Sequence, residues 1–173
     1  MKSEKLKVKS EKQTIKAAII ILSDKGSIGQ RQDGCGPVLS ALLSRIDAEV
    51  VYYEILPDEK DLIKEKLKEI SDKVDLILTS GGTGLSPRDV TPDATLEVID
   101  KEIHGITQAI VSEGFKITNR AILSRAVAGV RNNTLIINLP GSPKAAVESL
   151  SVILDVIPHA VEKIKGSTEE CAR

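Results

Sequence analysis

Apolar and polar residues occur along the chain in blocks that predict strands and helices in turn. Residues 16–22 (KAAIIIL) form a continuous apolar, β-branched run, which is typical of a strand buried on both faces. Further strands are predicted over residues 48–56 and 74–79. Between them, a helix over residues 59–71 has its apolar side chains at helical spacing. An earlier helix is predicted from Pro37 to residue 46, because proline suits the first turn of a helix.

The second half of the chain continues this alternation. Helices are predicted around residues 93–101 and 106–115, followed by strands over residues 124–130 and 134–139. Asn132 and Asn133 tolerate positive φ, so a tight hairpin is predicted between these two strands. A long helix is predicted over residues 144–164, and Pro158 should kink or split it.

This order of elements predicts one domain of the α/β class. Strands that alternate with helices form a parallel sheet with helices on both faces, and residues 124–130 are then an antiparallel edge strand. The domain is expected over residues 16–166. A flexible, Lys/Glu/Ser-rich tail is expected at residues 1–15, and a second tail at residues 167–173.

The predicted topology also says where function should lie. Functional loops of parallel sheets follow the carboxyl ends of the strands. The loops at residues 23–36, 80–92 and 140–143 should therefore meet at one edge of the sheet, together with the turn at Asp58.

Composition and charge argue against several classes of function. The net charge of -1 and the pI of about 6.2 give no electrostatic basis for binding nucleic acid or a membrane. Aromatic residues make up only 2% of the chain, so stacking sites for single strands are not expected. Cys35 and Cys171 match neither a disulfide framework nor a zinc site, and no stretch resembles a signal peptide or a membrane span. We therefore expect a cytoplasmic protein without nucleic-acid or membrane partners.

A glycine-rich loop follows the predicted strand at residues 74–79. Ser80, Gly81, Gly82, Thr83 and Gly84 place three glycines in four positions, so backbone N–H groups can face a ligand such as a phosphate. Neither the Walker pattern nor GxGxxG is present. For the glycines alone, an ordinary tight turn is the alternative interpretation.

Charged residues of both signs gather at the same predicted edge. The acidic ones are Asp24, Asp58, Asp89 and Asp93, and the basic ones are Arg88 and Lys144. Because a phosphate repels bare carboxylates, this mixture predicts a hard cation between them. Mg²⁺ binds through one or two carboxylates plus substrate phosphates. The two basic residues would balance the remaining phosphate charge.

Each of these residues also has a structural interpretation. The alternatives are helix capping for Asp58 and Ser142, a helix-dipole contact for Asp93, a surface ion pair with Asp89 for Arg88, and solvation for Lys144. His104 and His159 show no metal-ligand spacing and are expected to be structural. Cys35 has no adjacent base, so a nucleophilic role is not expected. The residues alone predict a phosphate- and magnesium-binding cleft without identifying its substrate.

A longer string makes the sequence recognisable. Residues 80–84 (SGGTG), followed by residues 87–95 (PRDVTPDAT), resemble the signature of the molybdopterin-binding domain family, and more specifically its standalone molybdopterin adenylyltransferases. The combined string is far more specific than a glycine cluster. Shorter matches extend the resemblance over residues 17–166. They are Ser23-Asp24 with Gly29 and Asp33, residues 56–58 (LPD), residues 121–125 (AILSR) and residues 139–144 (LPGSPK).

The resemblance implies a three-layer α/β/α fold, usually assembled as a homotrimer. The implied reaction, in molybdenum cofactor biosynthesis, transfers AMP from ATP to molybdopterin and releases pyrophosphate. The product then passes to the enzyme that inserts molybdate. Asp58 and Asp89 match the family's two important aspartates and are expected to be catalytic and to hold Mg²⁺. The residues expected to bind the substrates are Ser23, Asp24, Ser80, Gly81, Gly82, Thr83, Gly84, Arg88, Ser124, Gly141, Ser142, Pro143 and Lys144.

Other interpretations stay open at this point. A relative that binds the pterin without adenylylating it would act as a carrier or regulatory protein, although the presence of both Asp58 and Asp89 argues against this. Molybdenum-insertion enzymes are longer, and proteins of the competence-damage type tend to have a different glycine loop. A trimeric structural partner with vestigial site residues is a further alternative. Cys35 stands where relatives often have serine, and the choice between molybdenum and tungsten is undetermined.

Overall fold

The protein is described here by a computed structural model that covers residues 14–168. Within this range a six-stranded sheet lies between two layers of helices. The strands are β1 (Ile15–Leu22), β2 (Ala48–Leu56), β3 (Leu76–Ser80), β4 (Lys101–Glu102), β5 (Ala128–Arg131) and β6 (Thr134–Leu139). The helices are α1 (Asp24–Ser27), α2 (Cys35–Leu43), α3 (Lys60–Ile70), α4 (Thr91–Leu96), α5 (His104–Ile117), α6 (Pro143–Ile153) and α7 (Ile157–Ile164). Short 3-10 turns occupy Ser44–Ile46, Asn119–Leu123 and Leu154–Val156.

The sheet is mostly parallel, as predicted. Its strands lie in the order β2-β1-β3-β6-β5-β4. Strands β2, β1, β3 and β6 are parallel, β5 is antiparallel to β6, and the two-residue β4 pairs antiparallel with β5 outside it. The hairpin between β5 and β6 turns at Asn132, whose φ is 49°. The α/β class with an antiparallel edge is therefore confirmed.

Burial on both faces explains the apolar run of β1. Its side chains alternate between two clusters, with Ala17, Ile19 and Ile21 in one and Ala18, Ile20 and Leu22 in the other. The first cluster includes residues of α2, α5, α6 and α7, and the second includes residues of α3 and α4. Since a fully buried Ile or Leu contributes about 1.5–3 kcal/mol, this strand anchors both helical layers. The three-layer arrangement follows directly.

Two elements are shorter than predicted because their backbone groups bond elsewhere. Helix α4 ends at Leu96 instead of near residue 101, since Asp100 donates its N–H to the Val130 carbonyl at 2.7 Å and β4 follows. Strand β5 begins at Ala128 instead of residue 124. In the segment before β5, the backbone N–H of Arg125 does not join the sheet, because it donates to the Thr83 carbonyl at 2.9 Å. This bond ties the approach to β5 to the glycine-rich loop.

The predicted C-terminal helix is split at the expected place. Helix α6 ends at Ile153, a 3-10 turn follows, and α7 begins at Ile157 with Pro158 in its first turn. Proline is tolerated in that position because the first N–H groups of a helix have no intrahelical acceptor.

The predicted tails at residues 1–15 and 167–173 fall largely outside the described residues, as does Cys171, so the character of both tails stays a prediction. Of the helices between residues 14 and 168, none combines the length and apolar character needed to span a bilayer.

Candidate active site

The loops that follow β1, β3 and β6 meet at one edge of the sheet, as predicted. Ser23 donates its N–H to the Leu56 carbonyl at 2.8 Å, and Gly81 donates its N–H to the Leu139 carbonyl at 3.1 Å. These bonds tie the loop after β1 to β2 and the loop after β3 to β6. Between the loops lies a cleft of about 500 Å³. Its walls include Ser23, Gly26, residues 31–35, Asp58, Ser80, Gly81, Gly82, Gly141, Ser142 and Pro143.

The glycine-rich loop needs glycine for two separate reasons. Gly81 and Gly82 have φ angles of 113° and 65°, a region that favours glycine. Space is also lacking, because a Cβ at Gly81 would overlap the Leu22 carbonyl oxygen and one at Gly82 would overlap the Thr91 hydroxyl. The N–H groups of Gly82, Thr83 and Gly84 have no acceptor among residues 14–168, whereas that of Gly81 is used within the sheet. The loop thus presents three free donors.

Thr91, which the sequence did not single out as a site residue, fixes this loop from α4. It is fully buried, its hydroxyl donates to the Gly81 carbonyl at 2.9 Å, and its N–H donates to the Gly82 carbonyl at 3.2 Å. Both carbonyl oxygens therefore already have a donor within the protein. A threonine eleven positions after a buried strand carries no signal of such a contact by itself.

Asp24 and Asp58 are held together by reciprocal hydrogen bonds. The Asp24 N–H donates to Asp58 Oδ2 at 3.2 Å, and the Asp58 N–H donates to Asp24 Oδ1 at 3.0 Å. The Asp58 carboxylate does not cap α3, which has no side-chain cap. Burial raises the pKa of Asp58, the Asp24 backbone N–H lowers it, and the negative charge of Asp24 raises it again. A cation nearby would stabilise the ionised form.

Arg88 contacts Asp24 and Glu59, not the neighbouring Asp89. Its guanidinium donates to both Asp24 carboxylate oxygens, at 2.7 and 3.1 Å, and to Glu59 Oε1 at 3.1 Å. The hydrogen bond from Arg88 is the main reason why the pKa of Asp24 lies below its ordinary value. The surface pair with Asp89 that the sequence allowed is therefore absent from the described residues, and Arg88 cross-links two loops instead.

Asp89 lies beside the cleft and is not part of its wall. Its Oδ2 accepts a hydrogen bond from the Ser86 N–H at 2.8 Å, which closes the loop after the glycines. Its negative charge is one of the causes that raise the pKa of Asp58, so the two carboxylates are within electrostatic range. The structure brings the two predicted catalytic aspartates to the same region without direct contact.

Arg125 anchors the loop after the glycines from the opposite side. It donates to both carboxylate oxygens of Asp93, at 2.8 and 3.3 Å, and to the carbonyls of Gly84 at 3.0 Å and Asp89 at 2.7 Å. The hydrogen bond from Arg125 lowers the pKa of Asp93. Asp93 is thus occupied by an ion pair. The sequence shows Arg125 within a matched segment but gives no signal of this role.

The remaining predicted binding residues divide between the cleft and its surroundings. Ser142 and Ser23 each cap a helix, accepting from the Ala145 N–H at 3.2 Å and the Gly26 N–H at 3.0 Å. Their hydroxyl protons stay available to a ligand in the cleft. Ser80 donates to the Pro140 carbonyl at 2.8 Å. Lys144 is solvated, with its side chain 83% exposed and 4.0 Å from Glu148.

Thr83 and Gly84, at the end of the glycine loop, and Ser124 line a second groove of about 320 Å³. Its other walls are α5, α6 and the Asn119–Leu123 turn, and its lining is mostly apolar. The structure therefore places these three predicted residues at the junction of the two grooves, and not inside the first one.

Asp33 and Cys35 shape the first loop. The Asp33 carboxylate accepts from the N–H groups of Cys35 at 2.8 Å and Gly36 at 2.7 Å, and from the Tyr53 hydroxyl at 2.8 Å. The Cys35 thiol is buried 3.4 Å from the Gly141 carbonyl, and burial raises its pKa. A thiol with a raised pKa is a poor nucleophile at neutral pH, in line with the prediction that Cys35 is not one.

The residues at this edge fit a magnesium ion. No group of three or more His, Cys, Asp and Glu between residues 14 and 168 could hold a metal unaided. Mg²⁺ does not require one, because it binds through one or two carboxylates and substrate phosphates. Asp58 Oδ1 is buried and has no hydrogen-bond partner within the described chain. A carboxylate oxygen left unpaired beside a cleft is the donor that such an ion would use.

Comparisons with known proteins agree with this geometry. Residues 18–159 match the family described as "Probable molybdopterin binding domain". The molybdopterin adenylyltransferase of Helicobacter pylori (strain ATCC 700392 / 26695) is 40% identical over 159 residues, which cover 90% of each chain. The Drosophila melanogaster molybdenum cofactor synthesis protein cinnamon is 41% identical over 155 residues. These cover 88% of this chain but only 26% of that longer protein.

Among solved structures, the molybdopterin biosynthesis enzyme MoaB of Thermus thermophilus superimposes with a TM-score of 0.84. It is 47% identical, over 88% of this chain and 98% of that one. The sequence match, the shared fold and the site loops all agree, and the chain belongs to the molybdopterin-binding domain family.

Proposed function

We propose that this protein is a molybdopterin adenylyltransferase, which uses Mg²⁺ and transfers AMP from ATP to molybdopterin. The observation that carries this proposal is the cleft itself. Its wall combines the free N–H group of Gly82 with an unpaired, buried Asp58 oxygen, and the free N–H groups of Thr83 and Gly84 follow directly after Gly82 in the same loop. The N–H group suits a phosphate, and the carboxylate oxygen suits a cation. Two relatives that align with this chain over 85–90% of both lengths are named molybdopterin adenylyltransferase.

The proposed reaction forms one phosphorus–oxygen bond and breaks another. An oxygen of the terminal phosphate of molybdopterin attacks the α-phosphorus of ATP. The bond from that phosphorus to the oxygen bridging to the β-phosphate breaks, and pyrophosphate leaves. No covalent intermediate on the protein is required, so the side chains act by alignment and by charge neutralisation.

The contacts of these residues support a separate role for each of them in this reaction. On the cleft wall, the N–H group of Gly82 and the hydroxyl of Ser142 are free to donate to phosphate oxygens. Asp58 and Asp89 would hold Mg²⁺, which when bound neutralises phosphate charge. Arg88 is hydrogen-bonded to Asp24, which in turn is hydrogen-bonded to Asp58, so in this proposal Arg88 positions the acidic residues.

An adenylylation assay tests this proposal. With molybdopterin and ATP, the purified protein is expected to form adenylylated pterin and pyrophosphate only when Mg²⁺ is present. The Asp89→Asn variant should keep its fold and lose most of this turnover, because the amide still accepts from the Ser86 N–H but lacks the charge. Near-normal turnover of this variant would remove Asp89 from the site.

The same assay separates the enzyme from a carrier or regulatory protein. Tight pterin binding without any product, across Mg²⁺, Mn²⁺ and a range of pH, would favour the carrier and overturn the proposed activity. Expression in the cytoplasm and transfer of the product to a molybdenum-insertion enzyme belong to the proposal as well. The location rests on the sequence composition, and the transfer of the product rests on the resemblance.

We further propose that the chain forms a homotrimer through the face around the apolar groove. Ile117, Leu123 and Val152 line this groove. The large exposed apolar side chains of α5, of the Asn119–Leu123 turn, and of α6 with the turn that follows it are about half exposed or more, with the exception of Val152 at 38%. They are Phe115, Ile117, Ile122, Leu123, Val152 and Val156. Monomeric proteins rarely leave large contiguous apolar patches in water, so this face suits a contact between copies of the chain.

Mass measurement by light scattering after gel filtration is expected to give three chains for the wild type and one for Ile122→Asp. A buried carboxylate without a partner disfavours the assembled state. Leu96→Asp is the matched control, since Leu96 is also an exposed apolar residue, 48% accessible, but lies on the other helical layer. A monomeric wild type, or equal dissociation of both variants, would contradict the proposed face.

A further inference from the structure

Arg31 is the one lysine or arginine on the wall of the cleft within the described residues. The same wall carries two carboxylates, Asp33 and Asp58. A cleft that accepts phosphate groups beside two negative charges needs positive charge from its own side chains as well as from a metal. Arg31 is placed to supply it.

The other basic side chains near the cleft are already engaged or point elsewhere. Arg88 is bound to Asp24 and Glu59, and Arg125 is bound to Asp93 and two backbone carbonyls. The side chain of Lys144 is 83% exposed, and Lys144 does not line the cleft. Arg31 forms no ion pair with any residue from 14 to 168. Its guanidinium therefore keeps all of its donors for a ligand.

The backbone around Arg31 is fixed on both sides. On one side, Gln30 donates its N–H to the Lys25 carbonyl at 2.8 Å. On the other, the Asp33 carboxylate accepts from the N–H groups of Cys35 and Gly36. Cys35 is buried and lines the cleft. Burial raises the pKa of its thiol, and the positive charge of Arg31 lowers it. The guanidinium is therefore within electrostatic reach of the cleft interior.

We propose that Arg31 is a substrate-binding residue that holds a phosphate group in this cleft. The proposal rests on the proposed function for the identity of the substrates, ATP and molybdopterin, both of which carry phosphate. What it adds to that function is a contact between the Arg31 guanidinium and two oxygens of one phosphate group. The planar fork of arginine matches phosphate in two parallel hydrogen bonds, which lysine cannot reproduce.

Binding measurements on Arg31→Gln and Arg31→Lys test this contact. Dissociation constants for ATP, molybdopterin and inorganic pyrophosphate are measured by calorimetry, with Mg²⁺ and with chelator, so that a metal contribution is seen separately. Removal of a charged hydrogen bond is expected to weaken binding of at least one of these probes about tenfold or more. Arg31→Lys should lie between Arg31→Gln and the wild type. The probe that responds shows which substrate phosphate Arg31 contacts.

Arg45→Gln is the matched control. Arg45 is exposed in the Ser44–Ile46 turn, outside the cleft wall, and the substitution removes the same charge. Identical dissociation constants for Arg31→Gln and Arg45→Gln with all three probes would overturn the inference, whatever the adenylylation assay shows. Weaker binding by Arg31→Gln alone, in a protein that makes no adenylylated product, would uphold the inference and reject the proposed activity.

Discussion

The Asp58→Asn variant is expected to lose turnover by about 10²- to 10³-fold, the usual cost of removing one preorganised electrostatic group from an active site. The substitution is nearly isosteric. An asparagine oxygen can still accept the Asp24 N–H that Asp58 Oδ2 now accepts at 3.2 Å. What disappears is the negative charge beside the cleft, at the oxygen that has no hydrogen-bond partner in the described structure. The loss should therefore appear in kcat, with the fold preserved.

Stability distinguishes this expectation from simple unfolding of the site. Burial raises the pKa of Asp58 in the folded state, so ionising this carboxyl destabilises the fold as pH rises through that pKa. Asparagine removes this pH-dependent effect. The free energy of unfolding of Asp58→Asn, relative to wild type, should therefore rise from acid pH, where the carboxyl is protonated in both states, to neutral pH. Urea unfolding at several pH values measures it.

Asp61→Asn is the control for Asp58→Asn, since the Asp61 side chain is 91% exposed on α3 and lies outside the cleft wall. It should leave kcat unchanged. If Asp58→Asn kept turnover within about fivefold of the control, a loss of under about 1 kcal/mol, Asp58 could not be a catalytic group.

Local patterns predicted most of the fold because the forces behind them are local. The run at residues 16–22 indicated a strand buried on both faces, and β1 packs against both helical layers. Pro158 indicated a break, and α7 begins one residue before it. Asn132 indicated a hairpin turn and has positive φ. In each case one short segment contains the cause and the effect.

The pairing of charges in the site could not be read from spacing, because it depends on residues far apart in sequence. Arg88 stands next to Asp89 in the chain but bonds to Asp24, 64 positions away. Asp93 is placed at a helix start, as predicted, yet its partner is Arg125, 32 positions on. Spacing identified which charged residues would gather at the edge of the sheet. Only the tertiary contacts decide which of them stay free for a ligand.

Gly81→Ala is expected to destabilise the fold more than the same substitution at a glycine that has open space around it. Its φ of 113° is unfavourable for an L-residue, and the new Cβ would overlap the Leu22 carbonyl oxygen, a backbone atom within the central sheet. A positive-φ conformation costs roughly 1–2 kcal/mol for a residue with a Cβ. The overlap adds to this, and a total of about 4 kcal/mol is in the range of severe core substitutions.

Two further glycines separate the causes. Gly29 has a φ of 74° but open space around its Cβ position, so Gly29→Ala should lose only the conformational part, roughly 1–2 kcal/mol. Gly105 lies in the first turn of α5 with nothing near its Cβ position and no positive φ, so alanine should stabilise the protein by up to about 1 kcal/mol.

The free energies of unfolding of the three variants, from urea titration followed by circular dichroism, should therefore rank as Gly105→Ala above wild type, then Gly29→Ala, then Gly81→Ala. Equal losses for Gly81→Ala and Gly29→Ala would show that the loop moves away from Leu22 at little cost. A loop that moves so easily could not hold the Gly82 N–H in a fixed position for a phosphate, so this result would weaken the case for the glycine loop as a preorganised binding site.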